Sequence, residues 1–205
     1  MTRFERLVLG TGNRHKAREL AGLLGGLPLR LDCLADVPGA CDVEEAGESL
    51  AENARLKASI QARRLQQWVL GDDTGLEVDA LGGAPGVRSA RYAGPTADGQ
   101  ANRTKLLAEL AAVAGPKRGA QFVCHLALAD PDGTIRAESR GHCRGRILFE
   151  PAGDSGFGYD ALFEVVEYHQ TFAQLGETAK SRLSHRGRAV EQIRPAILTL
   201  IASGN

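Results

Sequence analysis

The chain has 205 residues, a length that suits one folded domain over residues 1–205 with a substantial core. Its 25 basic and 25 acidic residues cancel, which argues against a general nucleic-acid binder or a membrane-surface protein. Neither a bilayer-spanning apolar run nor the apolar stretch of a signal peptide is present in the sequence, so we expect a cytosolic protein.

The first elements are predicted from apolar periodicity and turn residues. A strand is expected at residues 4–9 and a turn at residues 10–13. A helix follows at residues 14–24, where alanine and leucine recur at helical spacing, and Asn13 is its expected N-cap. A second strand is expected at residues 29–34.

An acidic loop at residues 43–48 precedes a second helix. Ser49 and Glu52 have the spacing of a capping box, which predicts a helix from there to about residue 66. Residues 68–70 are apolar and predict a strand.

The rest of the chain continues this alternation. The expected elements are a tight loop at 82–86, a helix at 101–113, hairpin strands at 121–129 and 134–141, a short strand at 147–149, a glycine-rich loop at 153–158, a strand at 161–166 and terminal helices, the last kinked at Pro195. Alternating strands and helices favour an α/β fold, and the hairpin makes its sheet mixed.

The most informative segment is Gly71-Asp72-Asp73-Thr74-Gly75-Leu76, which follows the predicted strand at 68–70. Its glycines predict a tight turn. Adjacent carboxylates repel each other and are held most easily beside a cation, and an all-oxygen ligand set favours Mg²⁺. Taken alone, the segment is equally compatible with a solvated acidic turn.

Other segments offer groups that bind a nucleotide. Residues 10–16 join a strand to a helix start, where backbone N–H groups favour a phosphate, and Lys16 in that first turn calls for an anion. Lys57 shares a helix face with apolar residues, so it either snorkels or reaches into a pocket. Residues 157–160 combine aromatic rings with a carboxylate, and residues 180–188 form a basic cluster. Each of these segments also has an ordinary structural interpretation.

The hairpin contains two cysteines and two histidines. Folding about residues 130–133 would set Cys124 opposite Cys143 and His125 opposite His142. The two pairs would then point to opposite faces of the sheet and could not share one metal ion. No role is assigned to them.

Four motifs occur in order along the chain. They are Thr11-Gly12-Asn13-x-x-Lys16-x-x-Glu19; Ser49-Leu50-x-Glu52-Asn53-Ala54-x-x-Lys57-Ala58; Asp72-Asp73-Thr74-Gly75-Leu76-x-Val78 with Gly82-Gly83-Ala84-Pro85-Gly86-Val87-x-Ser89-Ala90-Arg91-Tyr92; and Gly156-Phe157-Gly158-Tyr159-Asp160 with Lys180 and Ser184-His185-Arg186-Gly187. On these motifs the chain resembles the inosine triphosphate pyrophosphatase family, the XTP/dITP diphosphatases that clear deaminated purine nucleotides.

The resemblance implies a homodimer whose subunit has an elongated mixed β-sheet flanked by helices, with two lobes and an active-site cleft between them. It also implies Mg²⁺-dependent hydrolysis of ITP, dITP or XTP to the monophosphate and pyrophosphate. No nucleic-acid or membrane partner is expected.

The resemblance also assigns residues. Asp73 is implied as the catalytic carboxylate, which ligates Mg²⁺ or orients the attacking water, and Glu44 as a second metal ligand. Because Glu45 and Glu48 lie in the same loop, the register of that second ligand stays open. The implied substrate-binding residues are Thr11, Gly12, Asn13, Arg14, His15, Lys16, Lys57, Thr74, Phe157, Gly158, Tyr159, Asp160, Lys180, His185 and Arg186.

Two alternatives stay open at this point. A related pyrophosphatase could act on modified pyrimidine or ordinary nucleotides, and a substrate panel would separate the two. A nucleic-acid-binding module is disfavoured because the sequence lacks a basic stripe with interleaved aromatic residues. The sequence does not rank ITP, dITP and XTP.

Overall fold

A computed structural model describes residues 4–204, in which strands and helices alternate. The strands are β1 (Arg6–Gly10), β2 (Arg30–Cys33), β3 (Trp68–Val78), β4 (Pro85–Gly86), β5 (Gly119–Ala129), β6 (Ile135–Ile147), β7 (Phe163–Val165) and β8 (Gln170–Thr171). The helices are α1 (Arg14–Leu24), α2 (Leu50–Leu65), α3 (Gly99–Glu109), α4 (Phe172–Leu183) and α5 (His185–Ala202). The predicted α/β class is confirmed.

The strands form a mixed sheet in the order β2-β1-β3-β5-β6-β7-β8, with β4 paired to β3. β1 pairs in parallel with both β2 and β3, whereas β3–β4, β6–β7 and β7–β8 are antiparallel pairs. The predicted mixed sheet is therefore confirmed.

Side chains of β1 alternate between two cores, as the period of a strand requires. Leu7 and Leu9 pack into a cluster with leucines of α1 and isoleucines of α5. Val8 points the other way, into a cluster with three alanines of α2 that are spaced four residues apart (Ala54, Ala58 and Ala62). Helices therefore cover both faces of this part of the sheet.

The acidic segment is not a turn, so the prediction of a tight elbow there was wrong. β3 runs without interruption from Trp68 to Val78. Gly71 is needed because α2 lies directly against the strand: a Cβ there would overlap the Ala54 carbonyl oxygen and lie 2.9 Å from the Ala58 nitrogen. The glycine marks a close backbone approach, which is its other common use in a strand.

The chain divides into two compact units. Within the described residues, unit 1 comprises residues 4–73, 124–141 and 186–204. Unit 2 comprises residues 74–123 and 142–185. Each unit is assembled from segments that are not consecutive in the sequence. Neither unit is one continuous piece of the chain.

Unit 2 has its own aromatic core. The rings of Phe122 and Phe163 have centroids 4.7 Å apart, and those of Phe163 and Phe172 are 5.2 Å apart. Leucines of α3 and buried residues of β6 and β7 complete this cluster.

The predicted pairing of Cys124 with Cys143 was wrong. The Asp130 N–H donates to the Thr134 carbonyl, and the Ile147 N–H donates to that of Arg118. Counting along the strands from either pair places Cys124 opposite residue 140 or 141. The turn lies at Asp130–Gly133 as predicted and is closed by the Asp130 side chain, which accepts from the N–H groups of Asp132 and Thr134. The predicted register was wrong by two or three residues, so His125 does not face His142 either.

Among the described residues, no helix combines the length and apolar character that a membrane crossing needs.

Candidate active site

Asp72 and Asp73 lie in the middle of β3 and are both buried, with exposed fractions of 0% and 4%. Successive residues of a strand point to opposite faces of its sheet. The two carboxylates therefore meet different partners, and their surroundings give them different chemistry.

Asp72 is held between two cations. Its Oδ1 accepts from Lys16 Nζ at 2.9 Å, and its Oδ2 accepts from Arg186 Nε at 2.7 Å. Burial alone would raise the pKa of Asp72, but the charges of Arg186 and Lys16 hold that pKa well below its usual value. Asp72 is therefore a permanent anion.

Two further side chains lie close to this pair of charges. The Cys124 thiol lies 3.6 Å from its Oδ2, and Arg186 Nη1 donates to Glu19. Burial disfavours the charge on Arg186, yet the neighbouring Asp72 raises its pKa overall. The guanidinium is fixed in a buried chain of charges.

Asp73 faces α2 instead. Its Oδ1 accepts from Lys57 Nζ at 2.6 Å, and its Oδ2 accepts from Asn53 Nδ2 at 3.3 Å. Burial raises the pKa of Asp73, and this effect outweighs the opposing charges of Lys57 and Lys16. Of the two aspartates, Asp73 is thus the better proton acceptor.

Lys57 joins Asp73 to the acidic loop. Its Nζ lies 2.6 Å from Glu45 Oε1 as well as 2.6 Å from Asp73 Oδ1. Burial opposes its charge, but these two carboxylates raise its pKa overall. Glu44, the expected second metal ligand, is exposed in this loop.

The start of α1 carries the predicted phosphate turn. Asn13 is confirmed as the N-cap, and its side chain accepts from the N–H groups of His15 and Lys16. Gly12 borders open space, since a Cβ there would meet no heavy atom of the described residues within 4 Å. Thr11 is buried, and its hydroxyl accepts from the Asn13 N–H. Arg14 and His15 are exposed.

Unit 2 brings together a second group of predicted residues. Asp160 Oδ2 accepts from Lys180 Nζ at 2.7 Å and from the Phe157 N–H at 2.8 Å. Lys180 Nζ also lies 4.8 Å from the centre of the Phe157 ring. His185 is buried and stacks on Phe122 with ring centroids 4.7 Å apart.

The other predicted residues of unit 2 have structural contacts. Tyr159 is buried and donates its hydroxyl to the Ser89 carbonyl at 2.9 Å. The Gly158 carbonyl accepts from Arg103 Nη1 at 2.7 Å, and Gly158 has a φ of 60° that favours glycine. Thr74 follows Asp73 on β3.

The structure thus divides the predicted site residues into two clusters. Lys16, Lys57, Asp73 and Arg186 belong to unit 1, so Arg186 is separated from Lys180 and His185, with which the sequence placed it in one basic cluster. The resemblance gave Glu19 and Asn53 no role, kept Glu45 as an alternative to Glu44 for the second metal ligand, and did not place Asp72 among the binding residues. Glu19 and Asn53 stand at fixed positions of the quoted motifs, which was the available signal for them.

Comparisons with known proteins relate the chain to one family. The model of the Ham1 family matches residues 7–196. A Rhodopirellula baltica protein named dITP/XTP pyrophosphatase is 51% identical over 205 residues, which are 100% of this chain and 99% of that protein. A Desulforamulus reducens protein of the same name is 47% identical over 91% of this chain and 92% of its own length. The solved structure of a HAM1 protein from Coxiella burnetii has a TM-score of 0.85 at 35% identity, and covers 95% of this chain and 99% of that one.

Proposed function

This chain belongs to the Ham1 family, and we propose that it is a nucleoside-triphosphate pyrophosphatase that hydrolyses ITP, dITP and XTP. The products would be the monophosphate and pyrophosphate, so the enzyme would remove deaminated purines from the nucleotide pool. The family resemblance predicted from the motifs is confirmed. The observation that carries the proposal is the cluster in which Lys16 of α1 and Lys57 of α2 pair with the buried Asp72 and Asp73 of β3.

The cations of this cluster suit a triphosphate. Lys16 stands in the first turn of α1, where backbone N–H groups and the helix dipole already favour an anion. Lys57 is largely buried and lies between two carboxylates. Both ammonium groups would stabilise the charge that grows on the phosphate oxygens and the leaving pyrophosphate. Thr11, Gly12, Asn13, Arg14 and His15 would line the same turn.

The carboxylates of this cluster suit Mg²⁺. Mg²⁺ prefers oxygen ligands and is commonly held by one or two carboxylates together with substrate phosphates. The part of the chain that the structure describes has no group of three His, Cys, Asp or Glu residues arranged around a metal. We propose that Asp73 and one glutamate of the acidic loop would hold the ion, with phosphate oxygens and water as its other ligands. The bound ion would supply Lewis-acid polarisation of a phosphoryl oxygen.

Asp73 would also orient the attacking water and accept its proton. A raised pKa makes its carboxylate more basic than an ordinary aspartate. Asn53 and Lys57 fix the orientation of that carboxylate through one hydrogen bond to each oxygen. Asp72 is not a suitable base, since its low pKa makes its carboxylate only weakly basic.

The cluster in unit 2 would bind the base. The Phe157 ring offers a surface for stacking, and Lys180 is held beside it by Asp160. Thr74, Gly158, Tyr159, His185 and Arg186 complete the set that we propose to contact or support the nucleotide. Donors aimed at a 6-keto oxygen would be left unpaired by a 6-amino base, which penalises adenine nucleotides.

A homodimer and a cytosolic location, both expected from the sequence, are part of the proposal. Light scattering would test the first: the mass of two chains is expected, and the mass of one chain would contradict it.

Product analysis tests the proposed reaction. The purified protein is incubated with ITP, dITP and XTP, with and without Mg²⁺, and the phosphate products are quantified. Equal amounts of pyrophosphate and monophosphate, formed only with the metal, are expected. Orthophosphate without pyrophosphate would show that a different bond is cleaved.

A further inference from the structure

We propose that a polar stripe on α2 sets the register of the acidic loop and thereby places Glu45, rather than Glu44, beside Asp73. The polar stripe consists of Asn53, Lys57, Gln61 and Arg64. It contacts residues 39–48, which are the acidic loop at 43–48 and the four residues before it. Gln61 is inferred to be a positioning residue. The part of this inference that concerns metal binding rests on the proposed function.

The stripe is a consequence of helical spacing. Its members are three or four residues apart, so they lie on one side of α2. Next to them are the alanines that pack against the sheet, of which Ala54 and Ala58 are almost fully buried. Because those alanines fix α2 on β3, the stripe is fixed relative to Asp73.

Asn53 makes the first attachment. Its Oδ1 accepts from the Gly47 N–H at 2.9 Å, while its Nδ2 donates to Asp73. Gly47 has no room for a side chain, since a Cβ there would lie 2.6 Å from Asn53 Oδ1. One buried amide group therefore links the loop backbone to the catalytic carboxylate.

Lys57 makes the second attachment, to a side chain of the loop. Its Nζ reaches Glu45 Oε1 and Asp73 Oδ1 at 2.6 Å each, so these two oxygens are at most 5.2 Å apart. The Lys57 ammonium group therefore brings Glu45, rather than another carboxylate of the loop, beside Asp73.

Gln61 and Arg64 attach the far end of the loop. Gln61 Oε1 accepts from the Cys41 N–H at 3.4 Å, and Gln61 Nε2 donates to the Cys41 carbonyl. Arg64 Nε donates to the Gly39 carbonyl at 2.5 Å. Gln61 is 1% exposed, so the loop covers it.

These four attachments define a register. As the residue number rises along α2, the number of the loop partner falls from 47 to 45, 41 and 39. Both Gln61 bonds are to backbone atoms, so they fix the position of the chain whatever side chain Cys41 carries. A slip that brought Glu44 to the place of Glu45 would also bring Ala46 to the place of Gly47, where a Cβ does not fit.

Hydrogen exchange tests the register directly and needs neither metal nor substrate. Gln61→Met keeps the length and apolar bulk of the side chain but removes both bonds to Cys41. Amides of residues 39–48 are expected to exchange roughly fivefold faster or more in this variant. Gln192→Met, at an exposed glutamine of α5, is the matched control and should leave the loop unchanged. Exchange at the parental rate in Gln61→Met would overturn the proposal.

Metal binding tests whether this register places Glu45 at the proposed metal site. Binding of Mn²⁺ is followed by electron paramagnetic resonance with a non-hydrolysable α,β-imido analogue of dITP. Gln61→Met and Glu45→Gln should each lower the affinity for Mn²⁺ about 10- to 100-fold, as loss of supporting contacts does at other metal sites. A larger loss for Glu44→Gln than for Glu45→Gln would overturn the choice of glutamate.

Two provisions separate a failure of this proposal from an unfolded variant and from a failure of the proposed function. If Gln61→Met does not fold, Arg64→Met removes an exposed attachment and should increase loop exchange in the same way, and unchanged exchange there would overturn the proposal. If the parent protein hydrolyses no nucleotide, the proposed function fails, and the exchange experiment on the protein alone still decides the role of the stripe.

Discussion

Asp72 and Asp73 are chemically distinct although they are neighbours in the sequence. Asp72 lies between Lys16 and Arg186, and its pKa is lowered. Asp73 lies against α2, and its pKa is raised. The raised pKa makes the ionised form of Asp73 costly in the folded state, whereas the ionised form of Asp72 contributes stability above its ordinary pKa. The surroundings of Asp73 suit the proposed chemistry, and those of Asp72 suit a structural role.

The Asp73→Asn variant should lose activity and keep its fold. The proposed general base and one metal ligand are removed, so kcat should fall at least 10²- to 10⁴-fold, on the order of a general base alone. Because the charge of Asp73 costs stability near neutral pH, the variant should unfold at the same temperature as the parent or a higher one. Steady-state kinetics and thermal unfolding check both statements, and an unchanged kcat would remove Asp73 from its role.

The Asp72→Asn variant should show the opposite balance. Arg186 would keep Glu19 but lose its other buried counter-charge, and breaking such a pair costs about 3 kcal/mol or more. Urea unfolding at neutral pH measures this loss. A change below roughly 0.5 kcal/mol, the size typical of a surface substitution, would contradict the structural role.

At the scale of elements, the close packing of α2 on β3 positions the groups around Asp73. The interface is made of small residues, alanines on the helix and Gly71 on the strand, which let the two backbones approach. Asn53 and Lys57 extend from the same helix to Asp73. Any displacement of α2 therefore changes the surroundings of that carboxylate.

A methyl group at position 71 should disturb this packing. Gly71→Ala introduces a Cβ that overlaps the Ala54 carbonyl, so a loss of about 1–3 kcal/mol in unfolding free energy is expected. Gly22→Ala is the control, because this helical glycine borders open space and the substitution should stabilise α1 by about 0.5–1 kcal/mol. Equal stability of the two variants in urea unfolding would contradict the packing argument.

Local signals predicted some elements well and failed at others. The bounds of α1 were predicted from periodicity and from Asn13, because a helix and its cap are determined by nearby residues. The glycines of β3 were misread as a turn, because the need for Gly71 comes from α2, which packs on it. The partners of Arg186 are likewise distant in the chain: Asp72 is 114 positions away. No local pattern specifies such a contact.

At the scale of the whole molecule, the residues proposed for phosphate chemistry fall in unit 1 and those proposed for the base, Arg186 excepted, fall in unit 2. The order of the motifs along the chain predicted the family. It could not predict this division, because Phe157 and Lys180 come together with Asp160 only through the folding of α4.

Loss of the stacking ring should affect binding more than chemistry. Phe157→Leu is expected to raise the KM for dITP about 5- to 150-fold, the range for losing 1–3 kcal/mol of base stacking, with a smaller change in kcat. Phe149→Leu is the control, since that ring is 64% exposed and belongs to no proposed binding group. A similar KM in both variants would argue against stacking on Phe157.

The selectivity for the base tests the central claim most directly. We would compare kcat/KM for pyrophosphate release from dITP and from dATP, at saturating Mg²⁺ and with the unmodified protein. A preference for dITP of about 5- to 150-fold or more is predicted, since a 6-amino group leaves at least one donor unpaired at about 1–3 kcal/mol. Equal values for the two nucleotides would contradict the account.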